Sequence, residues 1–139
     1  MADIWSAEYW AKKGDVDLNM FRKRSGAPDG DARPILFLVH GSSVCSRTTF
    51  DLTVPGKPGY STMDWFAERG FDVWTLDHEN YGKSSRTDTN SDIASGVEDL
   101  KAGMEVVMRE TGQTRCSFMG TSSGALRAGG FANQCPDNV

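Results

Sequence analysis

The sequence predicts an α/β fold, a doubly wound and mostly parallel sheet that opens with an antiparallel hairpin. Three observations carry that prediction. Two strand-like runs flank the tight-turn pair Gly14-Asp15. Ile35 to Val39 is a continuous apolar run bounded by turn signals, the pattern of a strand covered on both faces. From there on, short apolar strands alternate with helix-like segments, which is the order of a parallel sheet wrapped by helices.

Each element has its own signal. Residues 8–13 read as the first strand of the hairpin. Residues 16–22 alternate apolar and polar through Met20, the period of a half-buried strand. Residues 25–33, rich in Gly, Pro and Asp, form a loop. After Val39 a long connection runs to the turn Pro55-Gly56-Lys57-Pro58-Gly59. Ser61 or Thr62 caps a helix through Met63, Trp65, Phe66 and Ala67, and Gly70 ends it. Residues 71–76 are the next strand. Ser91 or Asp92 caps the longest helix, whose apolar positions Ile93, Val97, Leu100, Met104, Val107 and Met108 recur at helical spacing up to Thr111-Gly112. Residues 115–119 form a strand, and a helix rich in Ala and Gly runs from Ser123 to about residue 133.

Composition bounds the function. The chain has 139 residues, a one-domain length, with 38% hydrophobic and 24% charged residues, as in globular proteins. A net charge of -4 argues against non-specific binding to nucleic acid or to an anionic membrane. The one basic cluster, Arg22-Lys23-Arg24, is expected to be a solvated face at the end of its strand. No apolar run approaches the roughly 20 residues of a membrane span, and the first residues lack the pattern of a secretion signal. Three scattered cysteines, Cys45, Cys116 and Cys135, give no disulfide framework and no metal-like spacing. A reducing, cytoplasmic setting is the expectation, with no cofactor and no metal.

In open α/β sheets ligands bind at the carboxyl ends of the strands. Three motifs fall there: His40-Gly41-Ser42-Ser43, the run Asp77 to Ser84, and Gly120-Thr121-Ser122-Ser123-Gly124. The third has the form Gly-x-Ser-x-Gly between a strand and a helix. So sharp a reversal strains the serine backbone and lifts its hydroxyl above the sheet. Gly120 and Gly124 are small because side chains there would collide across the turn. The helix then presents free N–H groups and its positive end, with the Ser123 N–H as one donor to an oxyanion.

Together the three motifs resemble the α/β-hydrolase superfamily in its serine-nucleophile branch, over essentially the whole chain but only the first part of that fold. His40-Gly41-Ser42-Ser43 resembles the family's His-Gly-x-x oxyanion loop. Asp77-His78-Glu79-Asn80-Tyr81-Gly82-Lys83-Ser84 resembles its Asp-x-x-Gly-x-Gly-x-Ser loop, with Asn80 in place of the first glycine and Glu79 where an arginine often stands. The resemblance implies that Ser122 is the nucleophile, that Ser42 supplies the second oxyanion N–H, with Ser43 as the alternative, and that His40 and Gly41 shape the loop. It implies hydrolysis of a small-molecule acyl substrate such as an ester or thioester. A serine rather than an aspartate at the elbow argues against the dehalogenase and epoxide-hydrolase branches. The loop of residues 43–60, with Phe50 as an apolar wall, is expected to line one side of the substrate pocket.

A serine needs a base. In this family the order is Ser, then Asp or Glu, then His. Residues 123–139 contain no histidine, and Asp137 is their one acid. His40 and His78 both precede the serine, and His78 is a poor candidate for a substitute base. The expectation is therefore an incomplete α/β-hydrolase fold, residues 1–139 being the N-terminal part of one domain. The strand at 115–119 should be an exposed edge that needs a complementary C-terminal segment or self-association. The alternative is a non-catalytic, truncated hydrolase-like chain that acts only as a structural or binding partner. A nucleotide-binding reading of Gly82-Lys83-Ser84 fails on spacing, because Asp77 stands where a phosphate loop needs glycine.

Overall fold

A computed structural model describes residues 3–139. Ile4–Lys13 (β1) and Val16–Ser25 (β2) form the hairpin, in register from Ile4 opposite Ser25 to Lys13 opposite Val16. Both strands run beyond the stretches in which alternation is visible. Ile35–Val39 (β3), Asp72–Leu76 (β4) and Ser117–Gly120 (β5) complete a five-stranded sheet in the order β1-β2-β4-β3-β5. β3 pairs in parallel with both β4 and β5, while β2 pairs antiparallel with β4.

Among the described residues four α-helices flank the sheet: Ser46–Phe50 (α1), Thr62–Ala67 (α2), Ile93–Thr111 (α3) and Ser123–Gln134 (α4). Ser61 caps α2 by accepting from the Asp64 N–H, and Asp92 caps α3 by accepting from the Ser95 N–H. α3 ends at Gly112 in the left-handed conformation, as its sequence anticipates. α1 is not visible in the sequence, being a single short turn inside the long connection.

Both faces of the sheet are buried, which explains why β3 and β4 read as unbroken apolar runs. Ile35, Phe37, Val39, Trp74 and Leu76 point into one core with Val97, Leu100, Val107 and Phe131 from α3 and α4. Leu36, Leu38 and Val73 point into the other with Phe50, Met63 and Ala67 from α1 and α2. Phe50 is thus a core residue, 2% exposed, and not the pocket wall expected of it. Facing inward from α1, it completes the second core.

The basic cluster is a second correction. Arg22 and Arg24 are 2% and 3% exposed. β2 continues past them to Ser25, so its side chains alternate between the two covered faces. Arg22 Nε and Nη2 donate to the two oxygens of Asp72 at 2.8 and 2.5 Å, with the guanidinium stacked near Trp5 and Trp74. Lys23, on the opposite face, bridges Asp51 and Asp64 at 2.6 and 2.7 Å.

β5 behaves as anticipated in one respect: it pairs with β3 alone, so its outer edge is open among the described residues. It starts two residues later than expected: the Cys116 N–H donates to Asn138 O at 2.9 Å, and pairing with β3 begins at Ser117.

Candidate active site

The parallel pairing of β3 and β5 sets Val39 opposite Gly120, so the segments that follow both strands leave the sheet side by side. The Thr121 N–H donates back to Val39 O at 3.1 Å. The chain then reverses at Ser122, whose φ of 53° and ψ of -127° lie outside the regions that non-glycine residues favour. α4 begins at the next residue, with Gly124 N–H bonded to Thr121 O and Ala125 N–H to Ser122 O. Ser122 is exposed. Strand, strained serine and helix therefore form the turn that the motif requires.

The flanking glycines are demanded by space. A Cβ on Gly120 would lie 2.4 Å from Gly124 O, and one on Gly124 would lie 2.3 Å from Val39 O. Gly41 has a similar role from the other side, since a Cβ there would lie 2.9 Å from Thr121 O and 3.0 Å from Ser122 Cβ. The loop after β3 thus abuts the serine directly. Ser42 Oγ and Ser123 Oγ are 2.9 Å apart and tie that loop to the first turn of α4. Among the described residues neither the Ser42 N–H nor the Ser123 N–H makes a hydrogen bond. The seven residues singled out in the sequence, His40, Gly41, Ser42, Gly120, Ser122, Ser123 and Gly124, are gathered at one end of two neighbouring strands. Ser43 adopts a positive φ of 70° in the turn that follows.

Behind this loop lies a buried polar layer that sequence reading did not find. His40 Nε2 accepts the His78 N–H at 3.0 Å, and its Nδ1 is 2.7 Å from Gly41 O. His78 Nδ1 is 3.0 Å from Asp99 Oδ2, which also accepts the Glu79 N–H at 3.1 Å. Lys13 Nζ reaches Asp99 Oδ1 at 2.5 Å and Glu79 Oε2 at 2.6 Å. Burial disfavours the charged form of Asp99, yet its bonds from His78 and Lys13 prevail and hold its pKa below the ordinary carboxylate value. Glu79 is held down to about 2 by Lys13 and Thr87. One signal for Asp99 was available: it shares the inward face of α3 with Gly96, Leu100 and Gly103, where an acid is out of place unless paired.

The run Asp77 to Ser84 is braced in the same manner. Asp77 accepts from Ser46 N–H and Oγ and from Lys83 N–H, and the Ser84 hydroxyl donates to Asp77 O. Asn80, where the motif has glycine, has a φ of 71°, a conformation that asparagine tolerates better than most residues.

His78 is fully buried. Burial, aided by Arg127, lowers its pKa to about 4 against the pull of Asp99. Its neutral form belongs to the folded state, while the unfolded chain takes up a proton near pH 6.5. Between these values the unfolded state binds more protons. Stability from this group is therefore complete above pH 6.5 and is lost as the pH falls toward 4. The unfolding free energy should fall from pH 7 to pH 5, by about 1.4 kcal/mol per pH unit at the steepest, and thermal melts should show the midpoint dropping with it. His78→Gln should flatten that dependence, and an unchanged slope in the variant would exclude His78 as its source.

A cleft of about 510 Å³, lined by Ile4, Pro58, Gly59, Asp64, Trp65 and Glu68, contains none of the residues around Ser122.

Comparison with known proteins agrees with this geometry. The family model described as serine aminopeptidase, S33, matches residues 56–139. The lipase lipl-3 of Caenorhabditis elegans is 32% identical over 110 residues, covering 71% of this chain and 26% of the lipase. An epoxide hydrolase from Vigna radiata superposes with a TM-score of 0.73 at 12% identity, over 96% of this chain and 36% of that one. The thioesterase domain of the curacin biosynthetic pathway gives 0.65 at 20% identity, over 97% of this chain and 42% of that one. The chain thus spans about a quarter of the curated relative's length. With its sheet order, its elbow and a family model over residues 56–139 in agreement, the chain belongs to the α/β-hydrolase family described as serine aminopeptidase, S33.

Proposed function

We propose that this chain carries the nucleophile and oxyanion hole of a serine hydrolase that acts on an ester, thioester or related acyl substrate. The observation that carries the reading is the strained, exposed backbone of Ser122, held between Gly41 and the start of α4. Ser122 Oγ attacks the acyl carbon and gives up its proton to a base. The N–H groups of Ser42 and Ser123 receive the resulting oxyanion, a role worth about 10²- to 10³-fold in rate for each donor. Collapse expels the alcohol or thiol with a returned proton, and water then frees the acid from the serine. The lipase and the thioesterase among the similar proteins support an acyl substrate. The epoxide hydrolases share the fold at 12 to 21% identity, and a serine at the elbow weighs against their chemistry here.

The base and its acid come from a complementary segment. Both histidines are buried and bonded elsewhere, which also supports the second reading of a non-catalytic chain acting as a structural or binding partner. The open edge of β5 offers the docking place, beside a groove lined by Phe118, Gly120, Ala125, Ala128, Gly129 and Ala132. The three free thiols favour a reducing, cytoplasmic setting.

Intact-mass analysis after exposure to a fluorophosphonate tests the scheme. A single adduct on Ser122 is expected when the downstream segment of a full-length relative is supplied, and none is expected with Ser122→Ala. Labelling of the chain alone would remove the claim that its base is external. No labelling under either condition would favour the non-catalytic reading.

A further inference from the structure

The polar layer behind the oxyanion loop has a direction. The His78 N–H has a single proton and donates it to His40 Nε2. That nitrogen must therefore be bare, so the neutral His40 ring carries its proton on Nδ1. The Nδ1–H then donates to Gly41 O at 2.7 Å. Gly41 C=O belongs to the same planar trans peptide unit as the Ser42 N–H, so fixing the oxygen fixes the opposite direction for the N–H. The orientation of one oxyanion donor is thus set by the protonation pattern of His40.

His40 in turn depends on where the His78 backbone sits. Asp99 holds that backbone through the His78 ring and through the adjoining Glu79 N–H. Lys13, reaching across from β1, supplies the charge that keeps Asp99 ionised inside the core. None of the hydrogen bonds and ion pairs of Lys13, Asp99 or His78 involves Ser122.

We infer that the Lys13–Asp99 pair is a positioning device for the Ser42 N–H, transmitted through His78 and His40 to the Gly41–Ser42 peptide. The inference rests on the proposed role of Ser42 in the oxyanion hole. It assigns a function to a charge pair that otherwise looks like ordinary core stabilisation. It also explains a cost, because burying Asp99 without a gain in specificity is seldom favourable against an apolar residue.

Imidazole-detected NMR on the chain reads the device directly, without any reaction. The unaltered chain should show His40 as the Nδ1–H tautomer, with that proton slow to exchange. In Asp99→Ala the exchange should quicken by about tenfold, the loss of one ordinary hydrogen bond. Asp99→Asn restores an acceptor without the charge and should recover part of the protection. Glu105→Ala, exposed on the same helix, should change nothing. If Asp99→Ala does not fold, Lys13→Met removes the counter-charge from the rim of the core and carries the same expectation. A second arm measures fluorophosphonate labelling of Ser122 with the downstream segment supplied. The maximal rate should fall by about tenfold in the variants, while the probe concentration for half-maximal rate holds.

An Nε2–H tautomer of His40 in the unaltered chain would overturn the inference. So would unchanged exchange in a folded Asp99 or Lys13 variant, since a merely structural pair would alter melting without altering His40. Faster exchange with an unchanged labelling rate would also overturn it, leaving Ser122 in place as nucleophile. Failure of the unaltered protein to label at all would count against the proposed function instead, and the imidazole signals would still decide whether the pair controls His40.

Discussion

Replacing Gly124 with alanine is expected to destabilise the fold severely, although it adds one methyl group to a helix. That methyl would lie 2.3 Å from Val39 O, 2.6 Å from His40 O and 2.9 Å from His40 C. All three atoms are backbone at the end of β3, so no side chain can swing away to make room. Relief requires α4 to back away from β3 by about 1 Å, and interior packing does not yield that cheaply. We expect a loss of at least about 4 kcal/mol, in the range reserved for severe overpacking or strain. A domain of this kind has only about 5–15 kcal/mol to lose. Gly129→Ala is the matched comparison, since nothing lies within 4 Å of the added atom. It should gain about 0.5–1 kcal/mol through helix propensity. Urea unfolding of the two variants beside the parent chain measures both. A Gly124 variant within 1 kcal/mol of the parent would mean that the elbow is not held against β3 as described.

Asp72→Ala should be nearly as damaging by a different mechanism. Asp72 is the carboxylate shared by Arg22 and Arg24, each almost fully buried. Without it Arg22 keeps weaker contacts with neutral groups, to Tyr9 and to Pro28 O at 3.4 and 3.3 Å and to the rings of Trp5 and Trp74. Removing one partner of a buried pair leaves an uncompensated charge and costs about 3–5 kcal/mol. Asp72→Asn, which keeps acceptor geometry for one guanidinium, should lose less. A urea midpoint barely moved by Asp72→Ala would show that water reaches the arginines freely.

Much of the architecture could be read from the chain because it rests on local signals. The apolar runs of β3 and β4, the Asp92 cap, Gly112 and the elbow glycines each carry their instruction in a few neighbouring residues. Arg22 and Arg24 misled because their burial depends on Asp72, fifty residues away, and charge patterns do not announce distant partners. Phe50 misled for a related reason: an apolar residue in a loop suits a pocket wall and a core equally, and the short helix α1 decides between them. Asp99 and Lys13 were missed because they become a pair only when β1 lies against α3. The strained turn at Ser122 and its flanking glycines were legible because strand, turn and helix are contiguous there. Ser42 was singled out only through the family resemblance, and the contact of its hydroxyl with that of Ser123 was not anticipated.

That contact has a consequence for how the protein comes into being. Ser42 and Ser123 lie 81 residues apart in sequence. Closing so long a loop is paid for in chain entropy before any contact across it gives a return. The strained backbone at Ser122 adds a further cost that only finished surroundings can hold. The hairpin and α3 can take shape from nearby residues alone, whereas the elbow must wait for β5 to find β3. The strained turn at Ser122 is therefore the last part of this chain to be born, and a ribosome still feeding out α4 has not yet set Ser122 against Gly41.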